Sequence, residues 1–308
     1  MPGLGRREAS VALATVLLAA VLALVAPGFF ARDNLADLFL ANMPVLILAL
    51  GMTLVILTGH IDISVGSVFA ICAVASGLLA KAGVPMPIVA AAACVLGAAL
   101  GAVNGALVAY VRIPSIVVTL ATMIAWREAL RWITQGAWIQ DLPAAYQWLG
   151  TTPAIYPWLV TAVVAVLQIA AAWGLGNVAA GRAVYATGSS AAAARLAGIR
   201  TAAVTLAVFA VLGALTGLAA ILNSVRFNQI PSNTGLGLEL KVIAAVVVGG
   251  TAITGGRGSA FGTLLGVLLL SAIGPALTFL GVSAYWERAI QGAIILAAVG
   301  ADAVRSNR

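Results

Sequence analysis

The sequence predicts an all-α polytopic membrane protein of about ten transmembrane helices with both termini cytoplasmic. Three observations predict it. Of the 308 residues, 63% are apolar and only 8% charged, too little charge to cover water-facing helices. The mean hydropathy is +1.12. The apolar residues gather into runs, most of them close to the roughly 20 residues a helix needs to cross a bilayer, divided by short joints rich in Gly, Pro, Asn and Asp.

The first run, 11–27, follows Arg6 and Arg7 as a signal peptide would, but Val25-Ala26-Pro27-Gly28-Phe29-Phe30 is a poor cleavage site. It therefore reads as a retained first helix. The later runs are 38–58, 66–81, 88–111, 115–134, 157–175, 202–223, 239–255, 259–281 and 286–304. Their joints include Pro85-Met86-Pro87, Pro143, Pro153 with Pro157, Gly174-Leu175-Gly176-Asn177 and Gly255-Gly256-Arg257-Gly258. Small-residue stripes at Gly97, Gly101 and Gly105, at Gly213 and Gly217, and at Gly262 and Gly266 fit close helix crossings, either within one subunit or at a seam between copies. Six tryptophans, Trp126, Trp132, Trp138, Trp148, Trp158 and Trp286, fall at predicted outer ends, where interfacial anchoring is the ordinary role.

The formal charge of +7 is explained by membrane sidedness, so no nucleic-acid partner is expected. With the N-terminus inside, the inner side collects Arg6, Arg7, Arg112, Arg182, Arg195, Arg200, Arg257, Arg305 and Arg308 against Glu8, Asp62 and Asp302. The outer side holds Arg32, Lys81, Arg127, Arg131, Arg226, Lys241 and Arg288 among six acids. Basic residues thus favour the inside.

The one long interior loop spans about 176–201. Within it, 190–197 is suited to a short helix: Ser189 or Ser190 caps it, four alanines propagate it, Arg195 lies in its last turn and Gly198 stops it. Two arginines keep this helix out of lipid. A soluble partner is the natural occupant of such a surface.

Catalytic chemistry is missing. An enzyme needs a nucleophile with a base, paired carboxylates or a metal cluster. His60 is the only histidine, and His60, Asp62 and Ser64 lie two apart, so they cannot converge from one helix. Cys72 and Cys94 lie inside apolar runs without the histidines or acids of a metal site. No metal or cofactor is expected. Gly255-Gly256-Arg257-Gly258-Ser259 lacks the Lys and Gly spacing of a P-loop, so ATP is not bound that way. Every acid falls near a predicted membrane edge, which argues against an ion-coupled carrier.

The run from Ala49 to Ser67, with Leu57-Thr58-Gly59-His60-Ile61-Asp62-Ile63-Ser64-Val65-Gly66 at its centre, closely resembles a signature of monosaccharide ATP-binding cassette importer permeases of the ribose type. Three further blocks agree in the same order: Asn104-Gly105 with Arg112 to Leu120, Gly181-Arg182 through Gly198-Ile199, and Glu239 to Gly250 through Gly258. The resemblance covers about 40–300. Trp138 to Pro143 and Ile230 to Glu239 look most like rhamnose and autoinducer-2 permeases. Two departures stand out: His60 replaces a usual second glycine, and Ala191 and Ala192 replace acids often found on the docking helix, leaving apolar fit with Arg182 and Arg195 for contact.

The resemblance implies a single permease domain over 1–308 in a bacterial inner membrane. It implies two ATP-binding cassette subunits inside, a second permease copy or close paralogue, and a periplasmic or secreted sugar-binding protein outside. Hydrolysis then belongs to a separate subunit. Arg182, Tyr185, Gly188, Arg195 and Gly198 are the expected coupling residues, and Asp62, Asn104, Asn223, Asn228 and Glu239 the expected substrate path. Plainer roles compete for some of these. Asp62 or Ser64 can cap the helix that follows, Asn104 can bond across helices, and Glu239 can form a rim ion pair with Arg226 or Lys241. A stand-alone carrier for small polar solutes, which needs no docking helix, or a membrane scaffold, which needs no Gly-broken spans with polar residues between them, is the alternative function.

Overall fold

In a computed structural model, residues 6–283, 285–287, 289–294, 296 and 300 are described. The helices are α1 (Arg6–Val25), α2 (Arg32–Leu57), α3 (Val65–Lys81), α4 (Met86–Ala109), α5 (Ser115–Thr134), α6 (Tyr156–Asn177), α7 (Ala179–Ser189), α8 (Ala191–Leu196), α9 (Thr201–Ser224), α10 (Leu238–Val248) and α11 (Ala260–Phe279). Extended pairing among the described residues is confined to one antiparallel bridge, Ile139 with Ile230. Residues 286–287 and 289–294 are again helical; much of the run 286–304 lies outside the described residues.

Six helices, α1, α2, α4, α6, α9 and α11, are long and apolar enough to cross a membrane. The chain is a polytopic helical membrane protein. α3 is apolar but has 17 residues, and α5 carries Arg127, Glu128 and Arg131 in its second half. The run 239–255 corrects the expectation of a full span. α10 stops after 11 residues, about 16 Å at 1.5 Å per residue and roughly half a hydrocarbon core. Gly250, Gly255, Gly256 and Gly258 then take positive φ, and the chain stays irregular until Ser259 caps α11 by accepting from Gly262 N.

α2 lies at the centre and is almost wholly enclosed, whereas α1, α4 and α6 bury little of their length. Apolar outer faces suit lipid contact because lipid tails are as apolar as the side chains they meet. The glycine stripes pack helices within this chain. A Cβ at Gly97 or Gly101 would strike the α9 backbone at Gly213 or Phe209, and one at Gly217 would strike Ala93. On the other side of the bundle, Gly262 and Gly266 meet Gly249 and Ala245 in the same way. Close backbone approach replaces side-chain interdigitation at both crossings.

Candidate functional site

The break after α2 builds the first polar group. Thr58 Oγ1 donates to Val55 O at 2.7 Å, and Gly59, at φ +81°, makes the left-handed turn that a Cβ would strain. The chain then climbs along α5. Ile61 N donates to Ser115 Oγ at 3.2 Å, Thr119 Oγ1 to Ile61 O at 3.4 Å and Ser67 Oγ to Met123 O at 2.7 Å. Successive partners one turn apart on α5 show that 60–67 rises beside it rather than staying at the bundle's end.

Asp62 is therefore 2% exposed, enclosed by the bundle. Its Oδ1 accepts from Ser64 N at 2.8 Å and from Ser64 Oγ at 2.6 Å. Asn104 Nδ2 on α4 donates to Ser64 Oγ at 2.8 Å, leaving Asn104 Oδ1 buried without a partner. Ser64 occupies the cap position of α3 but makes no side-chain cap bond. Capping by either side chain is thus replaced by a local network. His60 stands beside it, its ring 6.2 Å from that of Phe209.

A second group surrounds the start of α10. Glu239 leans over Gly66, where an added Cβ would strike its carboxylate and Gly235 O. Arg127 reaches the same place, with Nη1 donating to Thr234 O at 2.9 Å. The expected pair of Glu239 with Arg226 or Lys241 does not form. Residues two apart on a helix point in different directions, and Lys241 turns to Asn42 Oδ1, at 2.9 Å, and toward Glu287 Oε1, at 3.7 Å. Arg226 lies against the Phe227 ring. Asn42 is the eleventh residue of α2, so this ammonium sits about 15 Å along that helix. Asn42 and Glu287 offset the cost of enclosing that ammonium.

Lys241 and Glu287 line a cavity of about 940 Å³ with Phe69, Asn223, Thr234 and Gln291, near the upper end of small-molecule sites. Asn223 also borders a cavity of about 200 Å³ that Asn228 lines. The structure thus joins Asp62 with Asn104, and Asn223 with Asn228, while Glu239 stands apart over Gly66. Asn42, Lys241 and Glu287 were missed as site residues. The available signal was an amide and an amine interrupting apolar helical runs, of which only the amine was noted, as a rim charge.

The loop 176–201 holds two helices, not one. α8 follows the expected pattern, with Ser190 Oγ accepting from Ala193 N and Gly198 at φ +83°. α7 was not foreseen; it buries Gly181, Val184 and Thr187 on one face. Arg182 Nη1 donates to Asn177 O at 3.0 Å, and Tyr185 Oη to Gly258 O at 2.8 Å. Burial, helped by the Glu8 carboxylate, pushes the Tyr185 phenol above its ordinary pKa, so it stays a donor. Gly188 is pressed against Leu57 O and Gly256 N. Arg195 is exposed and Leu196 is 92% exposed, free of the rest of the chain. Among the described residues, no group of three or more His, Cys, Asp and Glu is placed to hold a metal ion.

Residues 34–299 match the family described as the permease component of branched-chain amino acid transport systems. The autoinducer 2 import system permease protein LsrC of Escherichia coli (strain K12 / DH10B) is 39% identical over 293 residues, covering 94% of this chain and 86% of that protein. LsrC of Shigella flexneri is likewise 39% identical over 293 residues, with the same coverage. LsrC of Yersinia pseudotuberculosis serotype O:1b is 38% identical over 290 residues, covering 94% of this chain and 83% of its own. No solved structure matches the chain.

Proposed function

The chain belongs to the branched-chain amino acid transport permease family, and from that premise we propose that it carries a small sugar-like solute inward by alternating access as the membrane subunit of an ATP-binding cassette importer. It is a multi-pass protein of the bacterial inner membrane, and ATP hydrolysis belongs to a separate subunit. Its solute is of the autoinducer-2 class that its relatives' names carry, or of the rhamnose or ribose class that its motifs resemble.

The observation that carries this reading is the seat of α7. Gly188 touches both the end of α2 and the glycine-rich break before α11, so a push on α7 reaches both breaks in the bundle. A stand-alone carrier or a scaffold has no use for such a lever.

In this reading the chain is one permease domain with both termini in the cytoplasm and about ten membrane-embedded helical segments, α10 entering only half-way. Residues 176–201 form the coupling region. Arg182, Arg195 and Gly198 present it to one of two ATP-binding cassette subunits, and Tyr185 and Gly188 fasten it to the bundle. A second copy of the permease or a close paralogue completes the membrane unit, and a periplasmic sugar-binding protein delivers the solute. Asn223, Asn228 and Glu239 border the outer mouth, and Asp62 and Asn104 the inner gate. Scattered amides and carboxylates offer hydrogen bonds to hydroxyl groups without holding the solute tightly.

Membrane vesicles containing the chain, its cassette subunits and the binding protein test this. ATP should drive uptake, and Arg195→Glu should abolish it while the chain stays in the membrane. Uptake driven by a proton gradient without ATP would replace the reading with the stand-alone carrier.

A further inference from the structure

We propose that Lys241, Glu287 and Gln291, the lysine held in place by Asn42, build a holding site within the 940 Å³ cavity for a neutral polyhydroxyl solute, gripped through its hydroxyl groups. This rests on the sugar-class importer reading and adds where in the chain the solute pauses. Lys241 Nζ donates to Asn42 Oδ1 at 2.9 Å and stands 3.7 Å from Glu287 Oε1. Glu287 Oε1 also accepts from Gln291 Nε2 at 2.9 Å. Side chains from α10 and the stretch after α11 thus converge on one wall, and Asn42 of α2 fixes the lysine.

The network has capacity to spare. An ammonium has three N–H donors and a carboxylate about four acceptor sites. Lys241 gives one donor to Asn42 and directs its charge at Glu287, so donors and acceptors remain for a solute. The Glu287 carboxylate leans over Gly274, where an added Cβ would strike it; the absence of a side chain there makes room for it. One cation beside one anion leaves the wall without net charge, so it offers hydrogen bonds rather than a field. That suits a neutral diol better than a phosphate or a cation. Phe69 and Pro44 on the same cavity provide apolar surface for the carbon face of such a solute.

The test is ATP-driven uptake of radiolabelled D-ribose, L-rhamnose and L-leucine into vesicles bearing the complete importer. Wild type is compared with Lys241→Met, Glu287→Gln, Gln291→Ala and the exchange Lys241→Glu with Glu287→Lys. Membrane content is measured by immunoblot, and coupling by the ATPase activity that the loaded binding protein elicits. At wild-type membrane content and ATPase, each charge variant should lose sugar uptake by about tenfold or more, as expected for a lost charged hydrogen bond. Gln291→Ala keeps the ion pair, serves if the charge variants fail to accumulate, and should raise the half-saturating sugar concentration severalfold. The exchange should not rescue. Normal uptake by the variants overturns the site, and rescue by the exchange makes the pair a structural brace and overturns it equally. Wild-type uptake of leucine alone, or of none of the three and not of autoinducer-2 either, instead removes the sugar-class reading beneath it.

Discussion

The carbonyl oxygen of Leu57, the last residue of α2, accepts a hydrogen bond from the backbone N–H of Gly256 at 2.9 Å. This bond ties the two irregular breaks of the bundle together, the one leading to Asp62 and the one leading into α11. Gly188 of α7 lies against both partners with no space for a side chain. The contact explains why a glycine stands next to last in this helix: any Cβ would separate the two backbones that the helix must touch.

Gly188→Val should therefore displace α7 from Leu57 and Gly256. Overpacking of this kind costs about 1–3 kcal/mol, enough to loosen the seat without dissolving the membrane bundle. The expected result is a chain present in the membrane whose partner hydrolyses ATP without uptake. Coupled transport at the wild-type rate would show that the α7 seat transmits nothing.

Asn104→Ala removes the donor to Ser64 Oγ and leaves Ser64 and Asp62 to satisfy one another. Losing a buried hydrogen-bond partner costs about 1–3 kcal/mol, to be read as a lower denaturation temperature in detergent. Asn104→Asp should be worse, because it sets a second carboxyl beside Asp62 in a buried site. Equal stability of all three proteins would remove this network from the account of how α3 is held.

Gly213→Leu should prevent α4 and α9 from meeting, since Gly97 O and the Gly101 backbone occupy the space a side chain would need. Loss of folded protein from the membrane is expected. Gly174→Ala provides the contrast. Nothing lies within 4 Å of a Cβ there, and alanine in a helix interior is favoured over glycine by about 0.5–1 kcal/mol. Comparable accumulation of the two variants would refute the close-packed crossing.

Topology is open to direct measurement. A phosphatase reporter fused after residue 308 should be inactive and one inserted near residue 145 active, because the first position is expected inside and the second outside. Activity at the C-terminus would overturn the arrangement with both termini cytoplasmic.

Where polar groups would lie was partly legible. Asp62, Asn104 and Glu239 stand out in apolar surroundings, and the Ser190 cap and Gly198 stop are local signals whose geometry depends on a few neighbouring residues. What each polar group faces was not legible. Glu239 and Lys241 are two residues apart, so the start of α10 sends one to Gly66 and the other to Asn42 and Glu287, partners remote in the chain.

Composition alone made this chain a helical membrane protein, because a bilayer leaves so apolar a sequence few ways to satisfy its backbone. The apolar runs, the glycine stripes and the absence of a catalytic set are likewise properties of residue type and spacing. Only the tertiary structure decided that α10 ends after 11 residues, that α7 exists and seats on two breaks, and that Asp62 is buried beside Asn104. Those features depend on hydrogen bonds and backbone contacts between segments far apart in the chain, such as Leu57 with Gly256 or Ser64 with Asn104. Periodicity and propensity report on neighbours along the chain, and these partners become neighbours only once the helices have packed.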